Sequence, residues 1–288
     1  MKQFLLVLTI TFLFTVSAAQ AQSSRVDTAN SYLERGSQWF AKAEYERALA
    51  DFDLAVASDP NLADGYYNRA VTRYRLKDNE GALADFNRAL KLAPRLVEAY
   101  VDRGGVRYLM GDLDGAISDY SKALELDPRR AETYYNRGMA RFRMGDLDGA
   151  ISDQTQALKL KPDFPEAWND RGTARQRTGD IDGALADYNR AIALAPRAAV
   201  VWSNRAACWK AKGDLARAEA DFSQAIELKP PQAEAYGLRG IVRLLRGKES
   251  EAEQDFARCL ALNKDLKGSL ERLIAEAKQQ LANDRLRK

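Results

Sequence analysis

The chain has 288 residues, of which 44 are lysine or arginine and 41 are aspartate or glutamate. This near-neutral balance gives no reason to expect a nucleic-acid groove or a patch for anionic membrane surfaces. The sequence contains no histidine, which removes the side chain most often used as a general base or metal ligand. It also lacks metal-spaced cysteines, a phosphate-binding glycine loop and a nucleophile elbow, so we expect no enzymatic activity, no metal and no cofactor.

Residues 1–21 have the pattern of a secretory signal peptide. A short positive start precedes an unbroken, largely apolar run from Phe4 to Val16, and Ala19-Gln20-Ala21 forms a small-residue cleavage motif. A membrane anchor is the weaker alternative, because about 20 apolar residues are needed to span a bilayer. We therefore expect cleavage after Ala21, a periplasmic or secreted protein, and no stable membrane insertion afterwards. Residues 22–28 would form a short N-terminal segment.

From residue 29 the sequence repeats with a fixed period, in seven copies. Proline closes the first six copies, and the constant interval between these prolines defines the period: Pro60, Pro94, Pro128, Pro162, Pro196 and Pro230. Within a copy, apolar residues follow helical spacing twice, and a pair such as Gly111-Asp112 separates the two stretches. Glycine tolerates the left-handed conformation that ends a helix, and aspartate can cap the next helix. The pattern therefore predicts one helix-turn-helix hairpin in each copy.

The spacing resembles that of the tetratricopeptide repeat (TPR) family. The family's signature tyrosine or tryptophan is present in every copy, at Tyr32, Tyr66, Tyr100, Tyr134, Trp168, Trp202 and Tyr236. A small residue follows four positions later, at Gly36, Ala70, Gly104, Gly138, Gly172, Ala206 and Gly240. The resemblance implies an all-α fold, a right-handed TPR superhelical solenoid of hairpins closed by a C-terminal capping helix. The repeats would occupy residues 29–264 (29–62, 63–96, 97–130, 131–164, 165–198, 199–232 and, approximately, 233–266) and the capping helix residues 265–288.

Two positions are charged in all seven copies. Arginine precedes the small residue, at Arg35, Arg69, Arg103, Arg137, Arg171, Arg205 and Arg239. Aspartate precedes the usually aromatic position of the second helix, at Asp51, Asp85, Asp119, Asp153, Asp187, Asp221 and Asp255. An arginine near a packing surface is costly unless it is paired, and an aspartate on the facing helix can accept two hydrogen bonds from its planar fork. A row of cations for an anionic ligand is the alternative, but repetition in every copy favours a structural ion-pair ladder.

A second arginine series lies four residues after the first, at Arg73, Arg107, Arg141, Arg175 and Arg243. Residues four apart on a helix share a face. We therefore expect this series to lengthen the same charged network.

Positions that differ between copies predict where a partner binds. By resemblance to the TPR family, the first helix of each hairpin lines a concave groove. The residue before the arginine is Asn or Asp in five consecutive copies and could bond a peptide main chain, at Asn68, Asp102, Asn136, Asp170 and Asn204. Aromatic residues and arginines of the first four copies complete the predicted groove: Phe40, Tyr67, Tyr74, Arg75, Tyr108, Tyr135, Phe142 and Arg143. Packing of these rings against the neighbouring hairpin is an equally weighted alternative, because aromatics at helical spacing commonly build a core.

These features predict a protein-binding adaptor or scaffold of the cell envelope, which holds an extended peptide or a helix of its partner in the groove. The arrangement with which some TPR proteins grip a peptide's C-terminal carboxylate is not matched, because acids stand where cations would be needed, at Glu98, Asp102, Glu132 and Glu166. Two other functions stay open. A chaperone-like holdase for envelope proteins would use the same aromatics with less specificity, and a glycan- or peptidoglycan-associated factor would bond hydroxyls through the Asn/Asp series.

Overall fold

The computed structural model describes residues 24–228 and 233–286, with side chains described as far as residue 283. These residues form fifteen α-helices and a short 3₁₀ helix, and they contain no strand. They group into two compact units, an N-terminal unit that ends at Ala140 and a C-terminal unit that begins at Arg141. The signal peptide predicted for residues 1–21 lies outside the described residues.

The N-terminal unit contains α1 (residues 24–41), α2 (Tyr45–Ser58), α3 (Ala63–Arg75), α4 (Asn79–Leu92), α5 (Val97–Met110) and α6 (Leu113–Leu126). The boundary between the units falls within α7 (Ala131–Met144). The C-terminal unit continues with α8 (Leu147–Leu160), α9 (Pro165–Thr178), α10 (Ile181–Leu194), α11 (Ala199–Ala211), α12 (Leu215–Leu228), α13 (Ala233–Leu245), α14 (Glu249–Leu262), a 3₁₀ turn (Lys264–Leu266) and α15 (Lys267–Leu286). In the part of the chain that the structure describes, no helix is both long and apolar enough to cross a membrane.

Helix starts follow the sequence period. First helices begin at residues 63, 97, 131, 165, 199 and 233, and second helices at residues 45, 79, 113, 147, 181, 215 and 249. Within each unit, the second helix of one hairpin packs against the first helix of the next, as α4 does against α5 and α10 against α11. The all-α array of helix-turn-helix hairpins predicted from the repeat is confirmed.

The predicted turn chemistry is also confirmed between the two helices of a hairpin. Gly111 ends α5 with a φ of 85°, in the left-handed region where a side chain is strained. Asp112 then caps α6, because its Oδ1 accepts from the Gly115 amide at 2.9 Å. The same geometry recurs at Asp78, Asp146 and Asp180, each of which accepts from a glycine amide at 2.9 Å.

An aromatic side chain of the second helix fills the centre of a hairpin. Tyr120 of α6 is 2% exposed and lies against Gly104 of α5. A Cβ atom at Gly104 would come within 2.8 Å of the Tyr120 ring, so the small residue of the repeat permits this close approach. Ala116 and Ala123, one turn to either side of Tyr120, are fully buried and bring the helices together.

The last helix, α15, begins at Lys267, one repeat period after the start of α13 at Ala233. Its buried side chains pack against the last hairpin: Ala277 clusters with Ile241 and Leu244, and Leu270 clusters with Ala233 and Cys259. Most of its other positions are exposed. This helix therefore occupies the place of an eighth first helix and covers the apolar face of the last hairpin, as expected of a cap.

Candidate partner-binding site

Each arginine of the first series joins several groups, as Arg171 of α9 illustrates. Its Nε and Nη2 donate to the two carboxylate oxygens of Asp187 in α10, at 2.9 and 2.7 Å. Its guanidinium carbon lies 4.7 Å from the centroid of the Trp168 ring, at a distance typical of a cation–π contact. Its Nη1 donates to Thr155 Oγ1 of the preceding hairpin at 3.1 Å. Equivalent bidentate pairs are Arg35–Asp51, Arg69–Asp85, Arg103–Asp119, Arg205–Asp221 and Arg239–Asp255.

The aspartates of this ladder also accept from the second arginine series. Asp187 Oδ2 accepts from Arg175 Nη1 at 2.9 Å, and the same nitrogen donates to the carbonyl of Gly183 at 3.5 Å. The other examples are Arg73 with Asp85, Arg107 with Asp119, Arg141 with Asp153 and Arg243 with Asp255. Two guanidinium groups thus share one buried carboxylate, and these donors point into the hairpins rather than toward a ligand.

A third hydrogen-bond partner of the first arginine series was not predicted from the sequence. In the described chain it is an oxygen acceptor on the preceding second helix, at Asp53, Asn87, Ser121, Thr155, Asn189 and Ser223. The donor–acceptor distances are 2.6–3.2 Å. These residues stand two positions after the ladder aspartate, one repeat period apart, and each carries a side-chain oxygen. That polar column, which ends at Ala257 in the last copy, is the signal that could have revealed them.

Side chains of α3, α5 and α7 enclose a cavity of about 370 Å³ in the N-terminal unit, which we term the aromatic pocket. Five residues of the predicted groove line it: Tyr74, Arg75, Asp102, Tyr108 and Asn136. Apolar groups complete its walls, at Val71, Phe86, Val101, Val106, Leu109 and Met139, and Tyr120 and Gly105 also line it. The structure therefore brings predicted groove residues from three successive first helices into one concavity.

A second concavity of about 530 Å³, which we term the acidic hollow, lies along α1, α3 and α5. It is lined by Leu33, Glu34, Ser37, Gln38, Asp64, Tyr67, Asn68, Leu96 and Glu98, and none of these residues is a cation. Glu98 pairs with Arg130 at 2.9 Å, and this hydrogen bond holds the pKa of Glu98 below its usual range. Across the described residues, no group of His, Cys, Asp or Glu side chains is arranged to hold a metal ion.

A hydrogen bond joins the acidic hollow to the aromatic pocket. The Tyr67 hydroxyl of α3 donates to Asp102 Oδ2 of α5 at 2.8 Å. Burial raises the pKa of Asp102, and the Tyr67 hydrogen bond acts in the opposite direction. The Tyr67 ring also packs against Phe86, with 6.1 Å between ring centroids. The two concavities are therefore neighbouring parts of one surface.

The Asn/Asp series is partly used in contacts between first helices. In the C-terminal unit, Asn204 Nδ2 donates to Asn169 Oδ1 at 3.0 Å. Asn169 in turn donates to Asp170 Oδ1 at 3.0 Å. The Asn204–Asn169 bond resembles the Tyr67–Asp102 bond in position, since each links equivalent faces of successive first helices. The series thus tethers neighbouring first helices as well as lining their surface.

Other predicted groove residues lie outside both concavities. Phe40 packs edge-on against Tyr45 of its own hairpin, with 5.3 Å between ring centroids. Arg177 lies over the Phe142 ring at 4.4 Å. Tyr135 is half-buried and Arg143 is exposed. Packing against a neighbouring hairpin therefore describes Phe142, whereas Phe40 packs within its own hairpin, and Tyr74 and Tyr108 line a cavity.

Comparison with protein families agrees with this architecture. Models described as TPR repeat or tetratricopeptide repeat match residues 63–96, 104–145, 135–199 and 210–267. The chain belongs to the tetratricopeptide repeat family. No curated protein matches its sequence.

Solved structures of TPR proteins are similar in fold. MamA is 25% identical with a TM-score of 0.56, and the match covers 58% of this chain and 91% of MamA. A TPR protein from Parabacteroides merdae is 20% identical with a TM-score of 0.63, over 88% of this chain and 99% of its own. YrrB, described as a TPR protein with an unusual peptide-binding site, is 23% identical with a TM-score of 0.58, over 64% and 95% of the two chains. The TPR fold supports a role in protein–protein interaction.

Proposed function

We propose that the chain is an adaptor or scaffold that binds an extended peptide or a helix of a protein partner on the first helices of copies two to four. The aromatic pocket carries this proposal, because it combines Tyr74, Tyr108, Arg75, Asp102 and apolar walls in one concavity. Tyrosine and arginine in partly enclosed apolar surroundings are typical of interaction hot spots. The proposed role is binding without catalysis.

The proposal rests on the surface of this chain and not on its structural relatives. The likeness to YrrB, at 23% identity, extends to the fold alone. The invariant Arg/Asp columns are occupied within the hairpins, as in the Arg171–Asp187 pair. We therefore assign partner recognition to the repeat positions whose residues differ between copies. The aromatic pocket lies where these positions hold aromatic residues.

The test uses random peptides displayed on phage and selected against the chain from Gln22 to Lys288. Selected peptides should lose affinity for a Tyr74→Ala, Tyr108→Ala double variant, since that variant removes two walls of the pocket. The matched control is Gln176→Ala with Lys210→Ala, which changes the same repeat position in copies five and six. Circular dichroism should report equal helical content in both variants. Unchanged affinity in the tyrosine variant would sink the proposal.

A chaperone-like holdase is the second candidate, and one observation favours it. Leu109 and Met110 are 58% and 46% exposed at the end of α5, and such apolar side chains suit non-specific capture. A holdase should suppress aggregation of unrelated unfolded proteins. An adaptor should select related peptide sequences and leave that aggregation unchanged.

We also propose that the protein is exported and acts in the cell envelope. The apolar run from Phe4 to Val16 and the motif Ala19-Gln20-Ala21 support this location. N-terminal sequencing of the protein from fractionated cells should find Gln22 as the first residue in the periplasmic or secreted fraction. An uncleaved chain in the cytosolic fraction would contradict export.

A further inference from the structure

The hydroxyl of Tyr120 lines the aromatic pocket without a hydrogen-bond partner among the described residues. Tyr120 as a whole is 2% exposed. Its counterpart in copy five, Tyr188, bonds the hydroxyl of Thr173 at 3.2 Å and donates to Gln176 Oε1 at 3.1 Å. The two equivalent tyrosines therefore differ, because the Tyr188 hydroxyl is hydrogen-bonded within its own hairpin, whereas the Tyr120 side chain lines the pocket.

The difference begins at Gly105. The copies place a side chain at this position everywhere else, namely Ser37, Val71, Met139, Thr173, Ala207 and Ile241. A Cβ atom built at Gly105 would find only the Tyr120 hydroxyl, 3.9 Å away. The missing side chain therefore leaves the space above the phenol open to the pocket. A tyrosine hydroxyl is protonated at neutral pH, and burial raises the pKa of Tyr120 further, so this phenol can both donate and accept.

The charges around this opening restrict what can enter it. Asp102 and Arg75 both line the aromatic pocket and offset each other, while most of its walls are apolar. This combination suits an uncharged side chain with an apolar body and a polar tip. The neighbouring acidic hollow is negatively charged, because Glu34, Asp64 and Glu98 line it and no lysine or arginine does. Its charge is complementary to a lysine or arginine.

We infer that the N-terminal unit recognises a partner segment in which a tyrosine or tryptophan enters the aromatic pocket and a nearby lysine or arginine lies in the acidic hollow. This inference rests on the proposed function and adds the chemistry of the partner. The incoming ring packs between Tyr74 and Tyr108, and its hydroxyl or indole N–H bonds the Tyr120 hydroxyl. The hydrogen bond between Tyr67 and Asp102 lies between the two anchoring points.

Two variants test the role of the Tyr120 hydroxyl in binding. Tyr120→Phe removes only the hydroxyl, and phenylalanine is the native residue at this position in other copies, as at Phe52, Phe86 and Phe222. Gly105→Thr restores the residue of copy five, which fills the opening and supplies a partner to the phenol. The matched control, Tyr188→Phe, makes the same chemical change in the C-terminal unit, at a residue that does not line the pocket.

The experiment is a phage selection of short random peptides on the chain from Gln22 to Lys288, followed by affinity measurement with the synthesised winners. We expect enrichment of Tyr or Trp together with Lys or Arg. Tyr120→Phe should weaken binding about two- to tenfold, the equivalent of one neutral hydrogen bond. Gly105→Thr should weaken it further, Tyr188→Phe should leave it unchanged, and added salt should weaken the parent interaction.

The outcomes separate this inference from the proposed function. Peptides that require Tyr74 and Tyr108 but lack the aromatic–basic pattern, or that bind Tyr120→Phe as tightly as the parent, overturn the inference and leave the proposed function standing. Peptides that bind without Tyr74 and Tyr108, or a selection that enriches no sequence, overturn both.

Discussion

Arg171 and Asp187 form a bidentate ion pair in which the two side chains are only 10% and 2% exposed. Arg171→Ala would remove the bidentate partner of a buried carboxylate and leave it with the single hydrogen bond from Arg175. We expect the free energy of unfolding to fall by about 3–5 kcal/mol, as measured for other broken buried pairs. Urea denaturation measures the loss. The control is Arg190→Ala, an exposed arginine on α10, which should change stability by less than about 0.5 kcal/mol; equal losses in the two variants would refute the ladder.

The contact between Arg171 and Thr155 predicts an energetic link between hairpins. Thr155→Val keeps the side-chain shape but removes the acceptor of the Arg171 Nη1 bond. We expect a loss of about 1–2 kcal/mol, because a hydrogen bond to a charged group is broken. The losses of Thr155→Val and Arg171→Ala should be less than additive in a double-mutant cycle. Ala257→Ser, which adds a hydroxyl where no arginine follows, should give no gain, and a gain there would argue against the specific pairing.

Adjacent glycines in α5 should respond to alanine with opposite signs. At Gly105 a Cβ atom meets nothing closer than 3.9 Å, so Gly105→Ala should raise the free energy of unfolding by about 0.5–1 kcal/mol through helix propensity. At Gly104 the Cβ atom would come within 2.8 Å of the Tyr120 ring. Overpacking costs about 1–3 kcal/mol and should exceed the propensity gain, so Gly104→Ala should destabilise the protein. Thermal unfolding followed by circular dichroism distinguishes the two; a stabilised Gly104→Ala would show that the ring moves freely.

Asp102 should make the protein less stable as pH rises. Burial raises its folded-state pKa, so the folded chain binds this proton more tightly than the unfolded chain does. Stability is therefore lost as pH increases from the unfolded value of about 3.9 through the raised folded value. Asp102→Asn, which introduces the residue found at Asn68 and Asn136, should stabilise the protein at pH 7. This gain should vanish at pH 3, where the parent carboxyl is protonated in both states.

Glu98→Gln provides the control of opposite sign. The pKa of Glu98 is lowered by its hydrogen bond with Arg130, so its ionised form stabilises the fold above the unfolded pKa and this contribution is lost as pH falls through the folded pKa. Glu98→Gln should therefore destabilise the protein at pH 7, with a difference that shrinks in acid. Denaturant titrations of both variants at pH 7 and pH 3 measure these differences. If both substitutions changed the stability at pH 7 in the same direction, the environments assigned to Asp102 and Glu98 would be wrong.

The hairpins and their turns could be predicted from the sequence because every copy obeys the same geometry. Gly111 ends one helix and Asp112 caps the next, and Gly145-Asp146 and Gly179-Asp180 do the same in the following copies. The pairing of Arg171 with Asp187 follows for the same reason, since a charge near a packing surface needs a partner. Local propensity, capping and pairing all act within one hairpin, where the sequence is most informative.

Contacts between hairpins could be predicted only in part. The acceptors opposite the first arginine series vary among Asp, Asn, Ser and Thr, so residues such as Asp53 and Ser223 have the composition of an ordinary exposed position. The aromatic pocket depends on a missing side chain at Gly105 and on a core tyrosine, Tyr120, whose hydroxyl has a different environment from that of Tyr188. An absent side chain leaves no pattern of its own, and the three-dimensional neighbours of Tyr120 are needed to see its effect.

The hydrogen bond that links successive hairpins has neither its acceptor nor its arginine donor where the last hairpin meets α15. The acceptor column ends at Ala257, and α15 carries Leu273 where the next arginine would stand. A hairpin duplicated inside the array would bring its own arginine and its own acceptor, and both would find partners. A hairpin appended after Leu262 would meet Ala257 and gain no such bond. A protein of this kind can therefore gain hairpins by internal duplication and keep this hydrogen bond at each new junction. A hairpin added at the C-terminal end would first need an acceptor in place of Ala257.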